Sequence, residues 1–195
     1  VAFQKEKYFY GDDHNTDSMT IEVKMNDQWR NSFKSVYEYD KNDNRIYTVD
    51  MFWQTGKWYK SSELYNYYND QNQKTKTIEK KWAMGTCIDS LKFLYKYNAE
   101  DSLHKKLTQK SENGDWQDSA RVIYDYTEDN YLLSVVNEIY NKKWIDQDST
   151  GYDYNTIEKQ VVVTNYHWKQ AAWQKNTRWI MQYQDTTEEV ITTPK

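Results

Sequence analysis

Large aromatic residues alternate with polar ones along most of this chain, and the alternation has a period of two rather than 3.6. Tyr47, Val49, Met51 and Trp53 stand at every second position, as do Trp116, Asp118, Ala120, Val122, Tyr124 and Tyr126. Period two is the mark of a strand with one face unlike the other. Regular alternation places the last six residues on one face and Gln117, Ser119, Arg121, Ile123 and Asp125 on the other. Cys87, Leu91, Phe93, Tyr95 and Tyr97 read the same way. Leu132, Leu133, Val135, Val136 and Ile139 are apolar on both faces, which predicts a strand covered on both sides. Lys74 to Lys81 reads as a solvated strand face.

The strands recur. Trp29, Trp58, Trp116, Trp144 and Trp173 fall on one lattice with Cys87 at the remaining point, at spacings of 29, 29, 29, 28 and 29. A second series, Trp53, Trp82 and Trp168, lies five residues before lattice points, so eight of nine tryptophans belong to the two series. Ser32, Ser61, Ser90 and Ser119 stand three residues after four of the points. Tyr-x-Tyr pairs follow: Tyr37 and Tyr39, Tyr65 and Tyr67, Tyr95 and Tyr97, Tyr124 and Tyr126, Tyr152 and Tyr154, with Met181 and Tyr183 in the last copy and Tyr8 and Tyr10 as the end of an earlier one. A fixed period of this size signals a repeat architecture.

Between the two tryptophan series sits a turn. In Trp53-Gln54-Thr55-Gly56-Lys57-Trp58 a two-residue turn at Thr55-Gly56 puts Trp53 opposite Trp58, and Asn113-Gly114 is the strongest hairpin dipeptide in the chain. Asn26-Asp27 and Asn141-Lys142 occupy the same place, and Trp168 faces Trp173 across Gln170-Ala171. The second turn is the polar cluster after Tyr-x-Tyr, as in Asp40-Lys41-Asn42-Asp43-Asn44. The prediction is an all-β fold, an antiparallel up-and-down meander of about thirteen strands from 29-residue hairpin repeats, with little or no helix. Residues 1–195 form a single repeat domain, a half repeat followed by six copies anchored near 29, 58, 87, 116, 144 and 173. So many strands in an open sheet predict a curled or twisted sheet, because open twisted sheets rarely exceed about ten strands.

Composition adds amphipathic rings to this picture. The chain has 19 Tyr and 9 Trp in 195 residues, while only 37% of residues are hydrophobic and Pro194 is the single proline. With 26 basic and 30 acidic side chains it lacks the basic excess of a nucleic-acid binder. Cys87 is the single cysteine, so no internal disulfide is expected. No membrane-spanning stretch and no signal peptide are read, and a chain opening on Val1 suggests a processed or trimmed N-terminus.

The pattern Tyr37-x-Tyr39-Asp40-x-Asn42-x-Asn44, joined to Trp-x-x-Ser, resembles the tandem β-hairpin repeats of secreted and surface proteins of Bacteroides-type bacteria, most of them uncharacterised. Asp40 also makes it similar to the Tyr-Asp repeats of bacterial toxin shells, which have a shorter period. Gly56-Lys57-Trp58-Tyr59 is similar to the core of choline- and glucan-binding repeats. The resemblance to secreted repeats implies a secreted, periplasmic or cell-surface location, and it supplies no catalytic residues.

Candidate chemistry is sparse. His14, His104 and His167 occupy unrelated positions, and His14 reads as part of a turn. Asp40, Asn42 and Asn44 have the alternate spacing of calcium-loop ligands but lack the glycine and distal glutamate of that loop. The doublets Asp12-Asp13 and Glu188-Glu189 point to opposite faces of any strand. Cys87 reads as a smaller residue in a tryptophan slot opposite Trp82. Asp146, Asp148 and Asp153, with the moved serine Ser149 in the most irregular copy, are the residues of a rival reading, a glycan-active hydrolase, and the first two share the face of Trp144 if the strand is regular. Recurring serines are a property of the repeat, whereas a catalytic residue is unique. The expectation is therefore a non-enzymatic binding or scaffold module without cofactor or metal. Its ligand would be a carbohydrate, a peptide or another surface protein, met by an aromatic row of Trp53, Trp58, Tyr37, Tyr39, Tyr65 and Tyr67.

Overall fold

The computed structural model describes residues 3–12 and 14–182. The expected contributions of Asp13, Tyr183, Glu188, Glu189 and Pro194 lie outside the described residues. The chain divides into two compact units, Val1–Leu94 with Gln109–Gln117, and Tyr95–Thr108 with Asp118–Lys195. The regular elements begin with β1 (Gln4–Tyr10), β2 (Thr16–Met25), β3 (Gln28–Tyr39), β4 (Arg45–Gln54), β5 (Lys57–Tyr68), β6 (Lys74–Ala83) and β7 (Thr86–Tyr97). They continue with β8 (Leu103–Glu112), β9 (Asp115–Tyr126), β10 (Leu132–Asn141), β11 (Lys143–Asn155), β12 (Gln160–Lys169) and β13 (Ala172–Gln182). No helix occurs among the described residues. The thirteen strands form one antiparallel up-and-down meander in which each neighbours its sequence neighbours, and β1 and β13 stand at the two ends of an order that does not close into a barrel.

Two kinds of turn alternate. At Asn26-Asp27, Thr55-Gly56, Met84-Gly85, Asn113-Gly114 and Gln170-Ala171 both residues have positive φ. That is the backbone of the tight turn whose twist matches the flanking strands. The expected pair Asn141-Lys142 differs. Only Lys142 has positive φ, and Asn141 pairs with Lys143, so this turn has lost one residue and the local spacing is 28. The polar loops carry their positive φ at His14, Asp43, Asn72, Asp101, Asn130 and Lys159, in steps of 29.

In the Asp40 loop, Asp40 Oδ1 accepts the amides of Asn42 at 2.8 Å and Asn44 at 3.0 Å. Asn69 and Asn98 lock their own loops in the same way. This local bonding is why Asp and Asn recur there. Side-chain amides also link successive loops, Asn15 to Asp43 and Asn42 to Asn72, each at 2.9 Å.

The strands are not regular, and the irregularity decides which residues share a face. Pairing runs Met51↔Lys60 and then Asp50↔Ser62, so Ser61 is an extra residue, a β-bulge. Ser32 is extra in β3, Gln147 in β11 and Asn176 in β13, each three residues after a lattice point, while in β7 the extra residue is Ile88. Each bulge shifts the alternation by one. In β5, Trp58 and Lys60 therefore share a face with Glu63 and Tyr65. In β7, Cys87 shares a face with Ser90 and Lys92, and Leu91 and Phe93 lie on the opposite one. The predicted common face of Cys87, Leu91 and Phe93 is corrected by the bulge.

Little of the sheet is dry. The buried hydrophobic residues are Val49 and Val163, whereas Ser35, Glu63, Asn66, Thr77 and Glu138 are buried polar ones. Leu133 and Ile139 are 46% and 41% exposed, so β10 is not covered on both sides as its composition suggested. Nor is β6 simply solvated, because Thr77 is buried and Lys76 lies 3.7 Å from the centre of the Tyr67 ring. With no apolar second layer among the described residues, cross-strand pairs are the principal source of side-chain stabilisation. Trp53 and Trp58 meet edge-on with ring centres 5.1 Å apart, Trp168 and Trp173 at 5.0 Å, and Tyr140 and Trp144 at 5.1 Å.

Candidate functional site

In the first unit one sheet face carries the tryptophans. Trp29 lies two residues after the tight turn into β3, and Trp58 lies two after the next with Trp53 opposite it. Trp82 pairs with Cys87. The gap in the lattice at position 87 is thus filled from the facing strand. Lys92 on this face lies 4.6 Å from the centre of the Trp116 ring, which extends the row to β9. Lysines also lie over Trp29 (Lys5, 4.4 Å) and Trp82 (Lys60, 5.4 Å), within cation–π range.

The centre of this face is Glu63, 3% exposed. Its Oε1 accepts bonds from Lys60 Nζ at 2.6 Å and Tyr47 Oη at 2.8 Å. Burial pushes the Glu63 carboxyl up, but the bonds from Lys60 and Tyr47 outweigh it and the group sits below the ordinary carboxylate value. Burial, then the bond to Glu63, raises the Tyr47 phenol well above its usual value. The buried Trp82 indole N–H leans toward the same carboxylate without completing a hydrogen bond. Towards the polar loops the face opens into a depression of about 1020 Å³ lined by Glu38, Tyr47, Glu63, Tyr65 and Tyr67 among others.

Of the six residues expected to form one aromatic row, the structure brings together four. Trp53, Trp58, Tyr65 and Tyr67 share the tryptophan face, with the Tyr65 ring 4.9 Å from that of Tyr47. Tyr37 pairs with Thr48 on the opposite face, where Arg45 lies 4.3 Å from its ring centre and 5.8 Å from that of Tyr39. Tyr37 stands eight residues after Trp29 but Tyr65 only seven after Trp58, so the partners of Tyr37 and Tyr39 in the next copy are Asn66 and Tyr68. Spacing reasoning passed over Glu63, Lys60 and Trp82 as site residues. For Glu63 the available signal is Ser61, three residues after Trp58 as Ser32 is after Trp29, because the bulge there carries Glu63 onto this face.

The opposite face has its own recurring bond. Tyr39 Oη donates to the Thr16 carbonyl (3.3 Å), Tyr68 to that of Arg45 (3.4 Å), Tyr126 to that of Leu103 (2.8 Å) and Tyr154 to that of Leu132 (2.9 Å). Three of these acceptors immediately precede a second bulge, at Asp17, Ile46 and Leu133. The second tyrosine of three of the pairs, and Tyr68 in the copy of Trp58, clips its strand to the strand before it.

In the second unit Arg121 forks onto Glu138, with Nη2 to Oε1 at 2.8 Å, and its guanidinium lies 4.2 Å from the centre of the Trp144 ring. The bond to Glu138 raises the Arg121 pKa further. The bulge at Gln147 places Asp146 on the Trp144 face and Asp148 on the other, bonded to Asn137 at 2.6 Å. The expected common face for the two aspartates is therefore corrected. His14 closes its loop, His104 Nδ1 lies 3.1 Å from the Tyr124 carbonyl oxygen, and His167 Nε2 lies 3.1 Å from Asn176 Nδ2. Among the described residues no group of three His, Cys, Asp or Glu side chains is placed to hold a metal ion, and no helix is long and apolar enough to cross a membrane. What the tryptophan face offers is stacking area with paired donors and acceptors beside it.

No family profile and no curated protein matches the chain. Among solved structures it is similar to a DUF3836 family protein from Bacteroides vulgatus ATCC 8482, at 14% identity and a TM-score of 0.40 over 46% of this chain and 98% of that one. It is also similar to a protein with unknown function from Bacteroides fragilis NCTC 9343, at 15% identity and a TM-score of 0.36 over 79% and 93% of the two chains. A porin-like protein from Bacteroides uniformis ATCC 8492 is similar at 11% identity and a TM-score of 0.35 over 90% and 87%. Likenesses this distant carry no functional argument.

Proposed function

We propose that the chain is a non-enzymatic, exported tandem-repeat protein serving as a binding module that takes a carbohydrate or peptide on its tryptophan face. The supporting observation is the row itself. Trp29, Trp53, Trp58, Trp82 and Trp116 lie on one face, with Lys5, Lys60 and Lys92 over three of the rings. Aromatic rings beside fixed polar groups suit a ligand with flat apolar patches and hydroxyl or amide edges. The tandem-repeat reading is supported by the recurring bulge and tyrosine clip, and the exported location by the resemblance of the Tyr37–Asn44 motif to secreted repeats. A glycan and peptide array read alongside tryptophan fluorescence tests the proposal. The expected result is saturable binding of one ligand class with a shift in indole emission and no ligand turnover. Absence of binding across a broad panel removes the binding role.

A further inference from the structure

We infer that the tryptophan row of the first unit is a track for an extended β-1,4-linked glycan laid across the strands, one disaccharide per hairpin. This rests on the binding role proposed above and names its ligand class. Neighbouring strands lie about 4.8 Å apart, so equivalent residues one hairpin apart are separated by about 9.6 Å. A β-1,4-linked chain of pyranose rings is a flat ribbon that turns over at each sugar and regains its orientation every second sugar, at a closely similar length. An extended peptide repeats every two residues at about 6.6–6.8 Å and falls out of step with the rings. An α-1,4-linked chain coils away from a straight row.

The stations at hairpin spacing are Trp29 on β3, Trp58 on β5 and Trp116 on β9; at the β7 station Cys87 stands in place of an indole, and Trp82 on β6 covers it from the facing strand as Trp53 on β4 faces Trp58. Each lies two residues from its tight turn, so the row runs along the hairpin end of the sheet. Ion pairs stand beside it: Lys5 and Lys7 share Glu22, each at 2.7 Å, and Lys60 pairs with Glu63 at 2.6 Å. Ammonium and carboxylate side by side give a sugar hydroxyl both a donor and an acceptor.

The test titrates the full chain with β-1,4-linked glucose and N-acetylglucosamine oligomers of increasing length, using calorimetry and indole N–H shifts, with α-1,4-linked glucose oligomers alongside. Affinity is expected to rise with each added disaccharide until the row is spanned, with several indole signals moving together. Replacing an end station, Trp29→Ala, should weaken the long oligomers by about fivefold, the worth of one stacked ring, and leave a disaccharide unaffected. Trp29→Tyr, which keeps a ring, should restore the binding. Length-independent affinity, equal binding of the α-linked series, shifts confined to one indole, or no β-1,4 binding each overturn the inference. If the array finds a different ligand, the binding role stands and only the track falls.

Discussion

Converting Glu63 to glutamine removes a charge from the most buried position of the tryptophan face while keeping its volume. Tyr47 Oη can still donate to the amide oxygen, so the principal loss is the charge-assisted bond from Lys60 Nζ at 2.6 Å. Bonds to charged groups contribute about 1.5–3 kcal/mol. The Lys60 side chain is 47% exposed and its charge is screened by water, which reduces the expected loss to about 1 kcal/mol. For a chain of this length that lowers the melting temperature by roughly 2–4 °C. Urea unfolding followed by tryptophan emission at pH 7 reads the difference.

The same pair of proteins gives a pH signature. The folded carboxyl lies below its ordinary value of 4.5, so its stabilisation is complete above that value and is lost as the pH falls through the lower folded value. Wild type should lead Glu63→Gln near neutrality and lose that lead in the acid range. Equal stability at pH 7, or a lead unchanged at the acid end, refutes the role given to this carboxylate.

Tyr126→Phe removes the 2.8 Å bond to the Leu103 carbonyl and should cost about 1 kcal/mol in urea unfolding, with faster amide exchange at the start of β8. Cys87→Trp should build a second facing indole pair with Trp82, like Trp53–Trp58, and stabilise the chain by about 0.5–1 kcal/mol. The exposed Cys87 thiol should react with a thiol reagent in the folded protein at a rate unchanged by mild denaturant. Gln170→Asn with Ala171→Gly places the preferred residues at two positive-φ positions and should raise the urea midpoint by about 1 kcal/mol equivalent.

The hairpins were legible because both of their signals are local. Thr55-Gly56 and Asn113-Gly114 mark the turn, and the facing of Trp53 and Trp58 follows from counting outward from it. The bulges were not legible from alternation, since an inserted residue leaves no gap in sequence. It only exchanges the faces beyond it, and this moved Glu63 and Lys92 onto the tryptophan face. Ser32 and Ser61 nevertheless recorded them. Each is the extra residue of its strand, and Ser61 Oγ ties back to the Asp50 carbonyl at 3.1 Å. At these two positions the small hydroxyl residue marks the bulge, whereas Ser90 of the same series pairs with Lys80 and the extra residue of β7 is Ile88. The cysteine in place of an indole at position 87 has a similar trace. Lys5, Lys34, Lys92, Arg121 and Arg178 are the basic members of the series five residues after the lattice points, and its one acidic member, Glu63, precedes the one lattice point that lacks a tryptophan.

Proton–proton contacts among the side chains of Tyr47, Trp53, Trp58, Leu64 and Tyr65 in solution test the bulged register most directly. The structure predicts strong contacts for Trp53 with Trp58 and for Tyr47 with Tyr65, whose ring centres lie 5.1 and 4.9 Å apart. Contacts of Tyr47 with Leu64 in place of Tyr65 would mean that β5 pairs without its extra residue. Glu63 would then lie on the opposite face, and the tryptophan face as described would not exist.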